Sequence, residues 1–159
     1  MKHGADINYF NKQGMNALMW ACKTDSLIMV HEILDQEGCA PGLEGKTGYT
    51  ACMIAARFGN KHALEVMCEH VARNDEAKQL AVDRILNTRS LLKGKTALMI
   101  CAHHRMAGMC RTLCKLGAST DIVDFNGYSA ARIAHNAGWS KVSTNVRSAN
   151  CLFVRCTVF

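Results

Sequence analysis

Four copies of one nine-residue pattern divide this chain, and nothing else in it repeats. They begin at Gly14 (GMNALMWAC), Gly48 (GYTACMIAA), Gly94 (GKTALMICA) and Gly127 (GYSAARIAH). Successive glycines stand 34, 46 and 33 residues apart, spacings that mark stacked supersecondary units rather than one continuous core. The longer middle interval carries an insertion of about 13 residues relative to the other two.

Each copy reads as a helix start. Two places after the glycine stands Asn16, Thr50, Thr96 or Ser129, whose side-chain oxygens can accept from the free N–H groups of a first helical turn. Small residues follow at fixed places (Ala21-Cys22, Ala55-Ala56, Cys101-Ala102) and let a neighbouring helix approach closely. Second helices are predicted over 27–35, with Ile28, Met29, Ile33 and Leu34 as core stripe, and over 61–72 after Gly59.

On these residues the chain resembles the ankyrin repeat family, whose signature runs Gly-x-Thr-Pro-Leu-His-x-Ala-Ala and later closes on Gly-Ala-Asp. The closing element stands here as Gly4-Ala5-Asp6-Ile7-Asn8 and Gly117-Ala118-Ser119-Thr120-Asp121. The resemblance spans residues 1–147 and implies an all-α solenoid of stacked helix-turn-helix units tipped by β-turn fingers. Repeats are expected near 11–40, 45–73, 91–123 and 124–147, with an inserted helix at 74–90 and a tail at 148–159. The family's Pro is replaced by Ala17, Ala51, Ala97 and Ala130, and its His by Met19, Met53, Met99 and Arg132. These changes remove two devices that tighten a repeat, while Ala favours helix and Met fills irregular gaps.

The inserted segment carries Ala77, Leu80, Ala81 and Ile85 at helical spacing with charges around them. It is expected to lie on the second helices of repeats two and three, away from the concave side. At the start, Met1–Ala5 aligns with the end of a repeat whose helices are absent, which leaves one face of the first hairpin uncovered unless further chain covers it. The last repeat turns polar over 140–147, as suits a cap. The tail ends Cys156-Thr157-Val158-Phe159, which fits a loose prenylation frame at Cys156 and also a C-terminal peptide ligand, although packing back on the last repeat is the favoured expectation.

The chain has 159 residues, 49% of them hydrophobic, and no apolar run of about 18 that could span a bilayer. Nine cysteines, an odd number falling mostly on small-residue or apolar slots, read as reduced core thiols of a cytoplasmic protein. Disulfides between stacked helices are not expected, because helix packing usually holds the Cβ atoms too far apart. The net charge of +6 biases partners toward acidic surfaces.

Chemical motifs are few. Residues 40–47 (APGLEGKT) match a relaxed phosphate-loop pattern, but a predicted helix precedes them where a strand is needed. Cys101, His103, His104, Cys110 and Cys114 crowd together in sequence, yet the cysteines occupy packing slots, so no metal is assigned. No nucleophile elbow or HExxH helix occurs, so no catalysis and no cofactor are expected. Lys12, Lys46, Lys93 and Lys95 are spread over the fingers without clustered aromatics, which argues against nucleic acid.

The resemblance implies a protein-interaction module whose concave strip of fingers and first-helix ends binds a partner protein. Carried over by position, the finger residues of the site are Lys12, Lys46, Tyr49, Lys95, Phe125 and Tyr128, and the first-helix ends add Arg57, Phe58, His103 and His104. Aromatic and Arg side chains carry most interface energy, which singles out Tyr49, Arg57, Phe58, Phe125 and Tyr128. The alternative is the non-catalytic ankyrin part of a larger enzyme, such as a kinase or ubiquitin-transfer protein.

Overall fold

The computed structural model describes residues 6–74 and 78–139, and among these all regular structure is helical. Eight helices follow one another: α1 (Ala17–Thr24), α2 (Leu27–Leu34), α3 (Ala51–Phe58), α4 (Lys61–Asn74), α5 (Lys78–Asn87), α6 (Ala97–His103), α7 (Ala107–Lys115) and α8 (Ala130–Asn136). Helices α1, α3, α6 and α8 are the first helices of four repeats and pack in series, α1 on α3, α3 on α6 and α6 on α8. Behind them α2, α4 and α7 pair with the first helices of their own repeats.

Local chemistry starts and stops the first helices at equivalent positions. Asn16, Thr50, Thr96 and Ser129 accept from the backbone N–H of Met19, Met53, Met99 and Arg132. Eleven residues after each pattern glycine the backbone turns left-handed, at Asp25 (φ 55°), Gly59 (78°), Arg105 (60°) and Gly138 (78°). The next residue's N–H then reaches back to a carbonyl of the preceding helix: Ser26 to Ala21, Asn60 to Ala55, Met106 to Cys101 and Trp139 to Ala134. These bonds satisfy helix-end carbonyls that would otherwise lie open. Asp25 and Arg105 hold this conformation with a Cβ, which costs about 1–2 kcal/mol relative to glycine.

Ahead of each first helix the chain forms a finger: 11–14, 45–48, 90–94 and 124–127. Asn11, Gly45 and Asp124 donate their N–H to the carbonyls of Met15, Tyr49 and Tyr128, four residues on; in finger three Ser90 reaches Lys95, one residue farther. Fingers stack by a recurring contact. A Cβ on Gly14 would lie 2.6 Å from Lys46 Cβ, one on Gly48 2.8 Å from Leu92, and one on Gly94 2.6 Å from the Phe125 ring. Each neighbour is the residue two places before the next pattern glycine. Backbone bonds reinforce the first and third contacts, Lys46 N–H to Gly14 O and Phe125 N–H to Lys93 O.

The core is a strip rather than a ball. Met19, Met53 and Met99, which stand in the family's His slot, are buried, as are Leu18, Leu64, Met67, Leu98 and Leu113. The second-helix stripe of repeat one differs from expectation. Val30, Ile33 and Leu34 are buried, while Ile28 and Met29 are exposed, because α1 and α4 cover α2 on the face that carries Val30. Ala17, Trp20 and Met29 form an open face, whereas their equivalents Ala51, Ile54 and Ala63, and again Ala97, Ile100 and Met109, are buried.

The inserted helix α5 packs on α4, as expected, but its other main contact is the first helix α6 rather than α7. Among its described side chains Val82, Ile85 and Leu86 are buried and Leu80 is exposed, so of the predicted stripe Ile85 faces the core and Leu80 does not. Ala77 and the side chain of Ala81 lie outside what is described, as do residues 1–5, the polar stretch 140–147 and the tail with Cys156.

Three substitutions test this account by urea denaturation. Gly94→Ala combines a left-handed φ with a clash against Phe125 and should cost about 2 kcal/mol or more, whereas Gly108→Ala, in α7 with open space around it, should stabilise by up to about 1 kcal/mol. Arg105→Gly should stabilise by about 0.5–1 kcal/mol by relieving its left-handed backbone. A neutral Gly94→Ala would show that the finger contact does not govern stacking.

Candidate functional site

Fingers and first-helix ends line up along one side of the solenoid, and that side is built from cations held on aromatic rings. Lys23 Nζ lies 4.8 Å from the Trp20 ring centroid and 5.7 Å from that of Phe58. The Arg57 guanidinium stands 5.8 Å over Tyr49, Arg89 5.1 Å over Phe125 and Arg132 4.6 Å over Tyr128. Such pairs contribute about 0.5–1 kcal/mol each at exposed sites and restrict the long side chains before any partner arrives.

Sequence-predicted residues fall into three groups. Lys95, His103, Phe125 and Tyr128 line one cleft of about 450 Å³ between fingers three and four, together with Lys93 and Asn126. A smaller depression of about 30 Å³ on the other side of finger three is lined by Thr47, Tyr49, Ser90, Leu92, Lys93 and Lys95. Arg57 and Phe58, exposed at the end of α3, join this side through their ring and cation contacts. Lys12 and Lys46 stand exposed on fingers one and two, and the Lys46 stem packs on Gly14, which leaves only its head for a partner.

His103 and His104 lie edge to face, ring centroids 5.1 Å apart. The His104 pKa is lowered, first by partial burial and then by the positive surroundings of His103, Arg57 and Lys95. The carboxylates near the fingers are already committed. Asp124 is buried and accepts from the N–H groups of Asn126 and Tyr128, and Glu44 accepts from Leu91 N–H.

Three contributors were missed in the sequence. Trp20 was legible as the (i, i+3) neighbour of Lys23, a first-helix-end residue expected on the strip. Arg132, four residues after Tyr128, was read only as a departure from the family's His. Arg89 lies 36 residues before Phe125 and only the finger stacking brings them together.

The residues weighed for other chemistry separate in space. Cys101, Cys110 and Cys114 are buried while His103 and His104 are exposed on the far side of α6. Residues 40–47 form turns and the next helix begins only at Ala51. The seven described cysteines are free. The argument from helix packing does not hold for one pair: Cys101 Sγ and Cys110 Sγ approach to 2.7 Å across α6 and α7, where either can donate.

Paired helices stacked in series, each pair tipped by a turn that contributes to one continuous strip, define a repeat solenoid. The chain belongs to the ankyrin repeat family: the family model described as ankyrin repeats (3 copies) matches residues 1–78 and 27–126. Ankyrin repeats are in general protein-interaction modules and typically non-catalytic. No described helix is long and apolar enough to cross a membrane.

Thiol reactivity should follow burial. Desolvation pushes Cys22 and Cys68 up to about 12 and raises Cys52 and Cys101 well above the ordinary thiol value, while half-buried Cys39 is raised by the same cause. Because the thiolate is the nucleophile, native-state alkylation at pH 8 read by peptide mass spectrometry should label Cys39 ahead of the buried Cys22, Cys52, Cys68 and Cys101. Cys22, Cys52, Cys68 and Cys101 should react only after unfolding; labelling of Cys22 as fast as Cys39 would refute the burial assignment.

Proposed function

We propose that this chain is a non-catalytic binding module or scaffold whose protein partner docks along the finger and first-helix strip with an acidic surface. The observation that carries this reading is the set of cations held over aromatic rings along that strip, with no described carboxylate within ion-pair distance of Arg57, Lys93 or Lys95. Two described histidine–carboxylate contacts, His62 with Glu65 and His70 with Asp35, lie on the second-helix side. A cation already positioned on a ring loses less side-chain freedom on binding, and carboxylates of a partner supply the missing counter-charge. A cytoplasmic setting fits the buried free thiols.

The residues assigned to the interface are Tyr49, Arg57, Phe58, His103, His104, Phe125 and Tyr128, with Lys12, Lys46 and Lys95 as electrostatic contributors. Aromatic anchors beside Arg are the groups that most often dominate interface energetics. Tyr49→Ala combined with Phe58→Ala removes two rings, frees Arg57 and leaves Lys23 on Trp20 alone; because Tyr49 is half-buried against the core, unchanged thermal melting is required of the variant. Partner retention on this variant, measured by quantitative pull-down against Lys61→Ala on α4 as control, should fall about tenfold or more. Equal retention by both variants would overturn the assignment.

A further inference from the structure

We infer that the trough around finger three is a receptor for carboxylate side chains of an extended acidic peptide segment in the partner. The inference rests on the strip reading above and names the chemistry of its centre. Comparison of equivalent positions makes the case. One residue after the pattern glycine stand Met15, Tyr49, Lys95 and Tyr128, and nine residues after it stand Lys23, Arg57, His103 and Asn136. Repeats two and four therefore place a tyrosine there and hold an arginine over it, Arg57 on Tyr49 and Arg132 on Tyr128. Repeat three has Lys95 and His103 instead, Lys95 with no cation–ring contact among the described residues and His103 edge to face with His104, and adds Lys93.

Two depressions flank finger three and share Leu92, Lys93 and Lys95. The larger opens toward Tyr128 and Phe125, the smaller toward Tyr49. An occupant crossing the finger meets an arginine-capped tyrosine, then two lysines and a histidine, then a second arginine-capped tyrosine. Among the described residues Asp124 is the one carboxylate lining the larger cleft; it is buried with Oδ1 turned to two backbone N–H groups, and Lys93 and Lys95 outnumber its charge. Charge complementarity thus calls for an anionic occupant. Phosphate-backbone polymers fit less well, because base stacking needs open ring faces, whereas Phe125 is packed on Gly94 with Arg89 over it and Tyr128 carries Arg132.

The probes are fluorescein-labelled octaglutamate, octaglutamine and an eight-nucleotide oligodeoxythymidylate, with binding to the full chain read by anisotropy at low ionic strength. Octaglutamate should bind at least about tenfold more tightly than octaglutamine, and Lys93→Ala with Lys95→Ala should remove about tenfold of that affinity while Lys61→Ala changes it less than about twofold. The charge-reversed pair Lys93→Glu with Lys95→Glu, with unchanged thermal melting, should acquire binding to octalysine. Equal binding of octaglutamate and octaglutamine, an equal loss in Lys61→Ala, or tighter binding of the oligonucleotide would each overturn the proposal. A partner lost by Tyr49→Ala/Phe58→Ala but retained by Lys93→Ala/Lys95→Ala would reject this receptor and leave the strip standing; retention by both would reject both.

Discussion

The arrangement depends on a close approach between one finger's glycine and the next finger's side chain. At Gly14, Gly48 and Gly94 there is no room for a Cβ, because Lys46, Leu92 and Phe125 occupy that space, and the left-handed backbone there is one that side chains rarely adopt. The contact sets the distance between neighbouring fingers and, through Gly94, delivers Phe125 to Arg89 and to the cleft beside finger three. The line of the fingers follows from it, and the first helices pack in the same series behind them. Contacts within a repeat set Lys23 on Trp20, Arg57 on Tyr49 and Arg132 on Tyr128, and contacts between repeats add Lys23 on Phe58 and Arg89 on Phe125.

Helix starts were legible because capping is local. Asn16, Thr50, Thr96 and Ser129 act on residues three places ahead, and no tertiary information is needed to see it. Faces were harder to read. In α2 an apolar run, Leu27 to Val30, offers several stripes, and only the positions of α1 and α4 select Val30 over Ile28 and Met29. The same ambiguity moved the stripe of α5 from Leu80 to Val82 and Leu86. The site showed the same division: Tyr49, Lys95 and Tyr128 followed from repeat position, whereas Arg89 on Phe125 needed the stacked fingers.

Replacing the family's His with Met changes what the first turn of each repeat contributes. Met19, Met53 and Met99 are buried, and what remains at the helix start is the bond from their own N–H to the cap residue. Sulfur is plentiful behind them, with Cys22 Sγ donating to Met67 Sδ at 3.2 Å. Thioethers and thiols adapt to irregular space, so the interior is filled by conformable side chains where ring hydrogen bonds would have imposed geometry. Rigidity then rests more heavily on the fingers.

Asn8 Oδ1 accepts from Ala40 N–H, and Asn87 Oδ1 accepts from Ser119 N–H, both across 32 residues. Asn87 is the last residue of the inserted helix, so the segment hands the chain back at the same phase of the cycle at which Asn8 precedes finger one. The extra helix behaves as a side loop on a thread whose pitch is unchanged on either side. Growth at that junction leaves downstream repeats in step, and a solenoid can acquire a bulky local feature there without renegotiating the geometry of its finger edge.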